Sequence, residues 1–359
     1  MNLRKLRMVS NRLRYLPSGV DFLKYTWNKV VCINKKIFNS LTVAYPAAIM
    51  IEVTNYCNLH CLTCPREYKY GLDMDKGSMD FNLLKKIVDQ AYPYVDSIGL
   101  TGLGEPLIYK DLAAALNYIK SKNKGIITSI STNAALPDTL NRIEAIKENI
   151  DSIQISIDGI GDIYNKVRKN GDFNVFIQNV RGISNKISSL DKNLSFNMVV
   201  IKDNYHQMTE MIELTSSIGV SNLNFTLFNL ASVTELDIEY YNFFHTVEFV
   251  DAFNKAIEKA KMYPKLNVTF WDYRSKNCFK KCRFPWTQFY ISWDGYITPC
   301  CAKPFPKELN FGNLNNAALI DCLNSNAYQS FRELWYQNNA PQFCYKCHLI
   351  DMKPINLNR

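Results

Sequence analysis

A chain of 359 residues with 47% hydrophobic and 21% charged residues can bury a large core, which excludes an intrinsically disordered protein. Its eleven cysteines fall in short-spaced groups, with neither an apolar signal segment nor a run of roughly 18 apolar residues, and this excludes a secreted disulfide scaffold and a membrane-spanning chain. Of the net charge of +9, residues 1–46 hold nearly all, because nine Lys or Arg face only Asp21 there; the remaining body is close to neutral, which excludes a basic nucleic-acid-binding stripe across it.

The expected compartment is a reducing cytoplasm, where clustered thiols are metal ligands before they are disulfides. Residues 1–46 form a basic N-terminal extension. Leu3, Leu6, Val9, Leu13 and Leu16 recur at helical spacing beside Arg4, Lys5, Arg7, Arg12 and Arg14, and Phe22, Leu23, Trp27, Val30 and Val31 continue the apolar content. The expected structural role is a helix packed on the body with its basic face in water. The functional alternative is peripheral contact with an anionic membrane surface or a phosphate-bearing lipid.

From residue 47 to 232 strand and helix patterns alternate. AAIMIEV, SIGLTG, GIITSIST, SIQISID, LSFNMVVI and NLNFTLF read as strands, and helical spacing separates each from the next. Such alternation predicts parallel strands joined by right-handed crossovers, an α/β fold with its site at the strand C-terminal ends. Residues 233–269 read as a connecting helical segment closed by Pro264. Residues 270–359, rich in Cys, Pro, Trp and Gly, mark a second, smaller unit.

CNLHCLTC places Cys57, Cys61 and Cys64 in the loop after the first strand. A closed zinc site wants four ligands, and His60 is the only nearby fourth candidate. Three thiolates can hold three irons of a cubane and leave the fourth open to a small chelator. The motif resembles that of the radical S-adenosylmethionine (SAM) superfamily, CxxxCxxC after the first strand of a partial (β/α)6 barrel, with Thr63 where the family usually has an aromatic residue.

The resemblance implies roles at the other strand ends. Gly104 and Glu105 in TGLGEP match the motif that meets the methionine amino group, and Ser131 and Asn133 in STN lie where relatives contact the ribose. Ser156 opens SIDG at the fourth strand end, and Arg168 stands where related enzymes place a carboxylate-binding arginine. Cofactor chemistry of this kind cleaves SAM reductively to a 5′-deoxyadenosyl radical that takes a hydrogen atom from an unactivated C–H. A flavodoxin or ferredoxin-type reductant is the implied partner.

In the last unit Cys282 and Cys300 are followed by the CxxC of Cys344 and Cys347. Four thiolates suit zinc or a cubane equally. With Trp286, Asp294, Gly295 and Gly312 around them, they resemble SPASM/Twitch extensions of radical SAM enzymes, which implies a second 4Fe-4S cluster. Cys278 and Cys301 compete for ligand positions, and Cys322, in an apolar helical pattern, reads as core.

The cysteine spacing also resembles that of an aminocyclitol dehydrogenase of the butirosin pathway, so the expected reaction is dehydrogenation of a small polar substrate, a sugar or cyclitol, with the second cluster accepting an electron. The rivals are a sugar epimerase that uses Cys301 or Cys278 as hydrogen donor, a ribosomal peptide maturase, and a non-catalytic iron-sulfur electron carrier. Against the maturase, 46 residues before the barrel is short for a leader-binding module. Against the carrier, GEP, STN and SIDG would have no purpose.

Overall fold

The computed structural model describes residues 16–187, 192–271, 282–337, 339, 341–347 and 354–356. Helix α1 (Gly19–Ile37) leads into the barrel. All six expected strands form: β1 (Ala48–Ile51), β2 (Ser97–Leu100), β3 (Ile127–Thr132), β4 (Ser152–Ser156), β5 (Asn193–Val200) and β6 (Asn222–Leu227). They lie side by side in chain order, all parallel. The crossovers carry α2 (Phe81–Ala91), α3 (Leu112–Lys122), α4 (Thr139–Ile146), α5 (Phe173–Ile187) and α6 (Met208–Ile218). The architecture is thus the expected α/β partial barrel.

Local chemistry sets the element ends. The Asp80 carboxylate accepts the backbone N–H groups of Asn82 and Leu83 and starts α2. Gly219, at φ +82°, stops α6. The helical pattern of residues 235–265 divides at Thr246: a 3-10 stretch (Ile238–His245) precedes α7 (Val247–Lys261), which the Thr246 hydroxyl caps.

Two more parallel strands extend the sheet. β7 (Asn267–Trp271) joins beyond β6, and β8 (Gln288–Ile291), from the cysteine-rich unit, pairs with β1 on its other edge, register Ala48↔Gln288. A short antiparallel strand, β9 (Ile297–Thr298), follows β8. The second unit is therefore hydrogen-bonded to the strand that delivers the first cysteine loop.

Parallel strands covered on both faces usually read as continuous apolar runs. Here they alternate. Ile153, Ile155, Phe196, Met198, Phe225 and Phe270 are buried in the main core. The opposite positions, among them Ser131, Gln154, Ser195, Asn222, Asn224 and Asn267, line a cavity of about 410 Å³. Rungs of amides cross it: Asn267 Nδ2 donates to Asn222 Oδ1 at 3.2 Å, and Asn222 Nδ2 to Asn193 Oδ1 at 3.1 Å.

The N-terminal helix reverses expectation. α1 is held at the N-terminal end of the sheet by its polar face: Tyr25 Oη and Lys29 Nζ each reach Asp96 at 2.9 Å, and Asn28 makes two hydrogen bonds to the Tyr45 backbone. Its apolar face meets water beside the exposed Lys24 and Lys36, with Leu23, Trp27 and Val30 all exposed. An amphipathic pattern says that a helix has two faces; the partners offered by Asp96 and Tyr45 decide which is inside. Leu16 is half-buried, and the stripe from Leu3 to Leu13 lies outside the described residues.

Candidate functional site

The loop after β1 carries Cys57, Cys61 and Cys64 at the C-terminal end of the sheet, and it is fixed from three sides. A two-residue antiparallel ladder pairs His60 and Cys61 with Lys169 and Arg168. Glu105 N–H donates to the Tyr56 carbonyl at 2.8 Å. Gly104 has no room for a Cβ, which would stand 2.3 Å from the Thr54 carbonyl oxygen and 2.6 Å from that of Tyr56. Glycine is thus required by close approach of the GEP turn to the cysteine loop.

Glu105 is buried, and its carboxylate accepts from Thr132 Oγ1 at 2.7 Å, Asn133 N at 2.6 Å and Leu107 N at 3.1 Å. Burial pushes its carboxyl up against the opposing effect of these donors. A carboxylate has about four lone-pair sites, so acceptor capacity remains after three bonds. Asn133 turns to the cysteine loop, with Nδ2 donating to Asn58 Oδ1 at 2.8 Å and standing 3.5 Å from Cys57 Sγ. Ser131 lines the polar cavity, and Ser156 sits half-buried at the end of β4.

Arg168, expected at a cofactor carboxylate, is committed within the protein. Its Nη2 pairs with the buried Asp158 at 2.9 Å and its Nη1 stands 3.9 Å from Cys61 Sγ. Asp158 also accepts from Val199 N at 2.8 Å and Thr63 Oγ1 at 3.3 Å, which gives the non-aromatic Thr63 a place. The SIDG motif therefore acts on the cysteine loop through Arg168.

Burial pushes the thiols up, Cys61 to about 11 and Cys64 to about 12, so ligation has to displace protons. The loop compensates with donors. Backbone N–H groups of Leu59 and Arg66 point at Cys57 and Cys64, and the guanidinium charges of Arg66 and Arg168 act on the same thiols. Both arginines are buried, and the Nε of each has no hydrogen-bond partner. Unpartnered buried donors beside three thiolates suit an anionic cluster. Neither motif nor spacing singles out Arg66; its one sequence signal is a cation two residues past the last cysteine of the loop.

Glu52 is the second residue that the sequence reading passes over. It follows β1, is 2% exposed, and accepts from Tyr290 Oη on β8, from Leu103 N at 2.8 Å and from Trp293 N at 3.4 Å. Burial raises its carboxyl to about 7. The only hint in sequence is a carboxylate closing an apolar strand.

In the second unit Cys282, Cys300, Cys344 and Cys347 line one small cavity with Pro285 and Trp335. The indole Nε1 of Trp335 is buried without a partner, a donor available to a group in that cavity. Lys303 Nζ, 2.5 Å from Glu308 and 4.3 Å from the Phe343 ring centroid, adds a buried cation. Cys301 is exposed; Cys322 is buried against Gly312, as a core residue; Cys278 lies outside the described residues. Among the described residues no three His, Cys, Asp or Glu side chains converge to hold a single metal ion, whereas a cubane takes its thiolates on separate irons.

Residues 51–215 match the family model of the radical SAM superfamily, and residues 282–348 match that of the SPASM iron-sulfur cluster-binding domain. The chain belongs to the radical SAM superfamily. Its cofactors are accordingly SAM and two 4Fe-4S clusters.

The chain is 23% identical over 322 residues to a tungsten-containing aldehyde ferredoxin oxidoreductase cofactor-modifying protein of Pyrococcus furiosus, covering 84% of this chain and 87% of the relative. It is 23% identical to a PqqA peptide cyclase of Bradyrhizobium diazoefficiens, covering 84% and 80%. The structure of Streptococcus suis SuiB bound to precursor peptide SuiA shares the fold, with TM-score 0.60 and 18% identity over 89% of this chain and 72% of that one.

Two predictions follow from this geometry. Reconstituted anaerobically, this radical SAM protein should bind about eight irons, and changing Cys57, Cys61 and Cys64 together to Ala should leave about half; stoichiometric zinc without iron-sulfur absorption would refute both clusters. The second concerns Glu52. Raising a carboxyl from 4.5 to about 7 favours the folded state's protonated form. Below pH 4.5 both states are protonated and nothing is lost; as pH rises through 7 the ionised buried form costs on the order of 3 kcal/mol. The stability of Glu52→Gln relative to the parent, read by urea unfolding, should therefore improve from pH 5 to pH 8. A difference independent of pH would assign the titration elsewhere.

Proposed function

We propose that this radical SAM enzyme modifies a peptide, abstracting hydrogen from a residue that it holds in the barrel. The carrying observation is the mainly polar lumen: about 410 Å³ lined mostly by Ser, Thr, Asn and Gln side chains, with Met50, Gly99 and Ile130 beside them and no Asp, Glu, Lys or Arg among its lining residues. Amides and hydroxyls both donate and accept, so they match the N–H and C=O groups of a peptide without demanding charge from it. A phosphorylated or carboxylate-rich substrate would find no counter-charge there. The peptide cyclase relative and the SuiB fold support the same reading. They support it better than the sugar or cyclitol dehydrogenation expected from cysteine spacing.

The proposed roles divide between loop and lumen. Cys57, Cys61 and Cys64 would hold the SAM-binding cluster, and Cys282, Cys300, Cys344 and Cys347 the second one. Bound there, the cluster and SAM supply the 5′-deoxyadenosyl radical. Glu105, through its remaining acceptor site, would receive the amino group of SAM, with Gly104 letting the turn approach. Ser131 and Ser156 face the side from which SAM and substrate meet, while Asn133 and Arg168 hold the cysteine loop in place. Gln154, in register with Ser131, and Asn224, level with Ser156 through Asn197, would orient the peptide backbone. A low-potential flavodoxin or ferredoxin remains the proposed reductant.

The test uses the reconstituted enzyme with SAM, a reductant and a synthetic peptide copied from a short reading frame beside the gene. Formation of 5′-deoxyadenosine should rise several-fold with the peptide, whose mass should change, and Glu105→Gln should weaken SAM binding about tenfold while both clusters still assemble. Stimulation by free sugars or cyclitols with every such peptide unchanged would return the reading to an alcohol dehydrogenase or epimerase.

A further inference from the structure

Helix α1 turns Asp21, Tyr25, Asn28 and Lys29 onto the protein and its apolar side outward. Asp21, the helix's only acid, turns inward and takes the Tyr92 hydroxyl at 3.1 Å. Tyr25, Asn28 and Lys29 are tied to Asp96 and Tyr45. The opposite side carries Val20 at 67% exposure, Leu23 at 65%, Trp27 at 70%, Val30 at 55%, Ile33 at 60% and Ile37 at 67%, with Phe38 just past the helix end at 74%. The steps of three and four residues align these side chains along the whole helix, roughly 28 Å at 1.5 Å per residue. Contiguous apolar surface of this extent mediates an interaction.

The rim selects the partner. On the helical wheel Lys24, 3.5 Å from Asp21, and Lys35 border the band on one side and Lys36 borders it on the other, where Lys29 is already paired with Asp96; no acid stands within the band. A second copy seated on this band would bring the same lysines against each other. An anionic lipid surface offers the complement: acyl chains for Leu23, Val30 and Ile37, the interface for Trp27, and headgroup charge for the lysines. No helix among the described residues is long and apolar enough to cross a membrane, so the contact would lie in the plane of the bilayer.

We infer that α1 docks this protein peripherally on an anionic membrane surface, with the Val20–Ile37 band in the lipid interface and the flanking lysines at the headgroups. The helix sits at the N-terminal end of the strands, where Tyr45 precedes β1 and Asp96 precedes β2, whereas the cysteine loop follows β1 at the other end. Docking therefore leaves the cluster end turned away from the lipid.

The test uses the full-length, reconstituted protein and a triple variant, Leu23→Ser with Trp27→Ser and Val30→Ser. All three side chains are exposed, so the variant should keep its iron content and unfolding transition. Co-sedimentation is measured with phosphatidylcholine vesicles and with vesicles containing roughly one third phosphatidylglycerol. The parent should bind the anionic vesicles at least about tenfold more than the variant does, and high salt should weaken that binding. Parent protein that stays in the supernatant, or a variant that binds equally well, would overturn the inference. So would a parent dimer that the substitutions turn into monomer with vesicles making no difference, which would assign the band to a second copy.

Discussion

The buried Glu52 carboxylate is the point on which the site is assembled. It closes β1, opens the segment that becomes the cysteine loop, and accepts hydrogen bonds from the β2 turn and from two places in the C-terminal unit. Burying a carboxyl is costly unless its acceptors are filled, and these donors come from segments that are far apart in sequence. Satisfying one side chain thus fixes the cysteine loop, the GEP turn and the second unit relative to one another. Gly102 belongs to the same constraint, because a Cβ there would stand 2.4 Å from the Glu52 side chain.

Beyond that anchor, the barrel divides labour between the two faces of its strands. One face is Ile, Phe and Met against helices and supplies the hydrophobic driving force. The other is Ser, Asn and Gln, which would be destabilising in a sealed core and is tolerable only where water or a ligand can complete the hydrogen bonds. The amide rungs that link Asn193, Asn222 and Asn267 hold the lower part of the lumen together.

What was legible in the sequence was what is local in it. Cys57, Cys61 and Cys64 lie within eight residues, so spacing alone announced shared chemistry, and the six strands declared themselves by length and period. The Glu105 hydrogen bonds to Thr132 and Asn133 were not legible, since they join two strand ends that only the sheet brings together. The sequence singled out Arg168 but not its pairing with Asp158, because a guanidinium on a loop gives no sign of which carboxylate it will meet. Arg66 and Glu52 went unread for the same reason. β8 was hidden because QFYI lies among Pro and Cys, preceded only by the single helical turn Phe284–Thr287, which is too short to mark a crossover. The lumen was written in the alternation of SIQIS and NLNFTL, which reads as strand before it reads as cavity.

The parallel pairing of β1 with β8 has a consequence for how the chain comes to exist. Ala48 finds its partner in Gln288, 240 residues later. During synthesis the strand that carries the cysteine loop has one open hydrogen-bonding edge until most of the polypeptide has left the ribosome, and open edges of this kind invite pairing with other chains. The donors that Glu52 takes from Tyr290 and Trp293 arrive equally late. The loop's three thiols are therefore made early and held firmly only near the end, when the second unit joins the sheet.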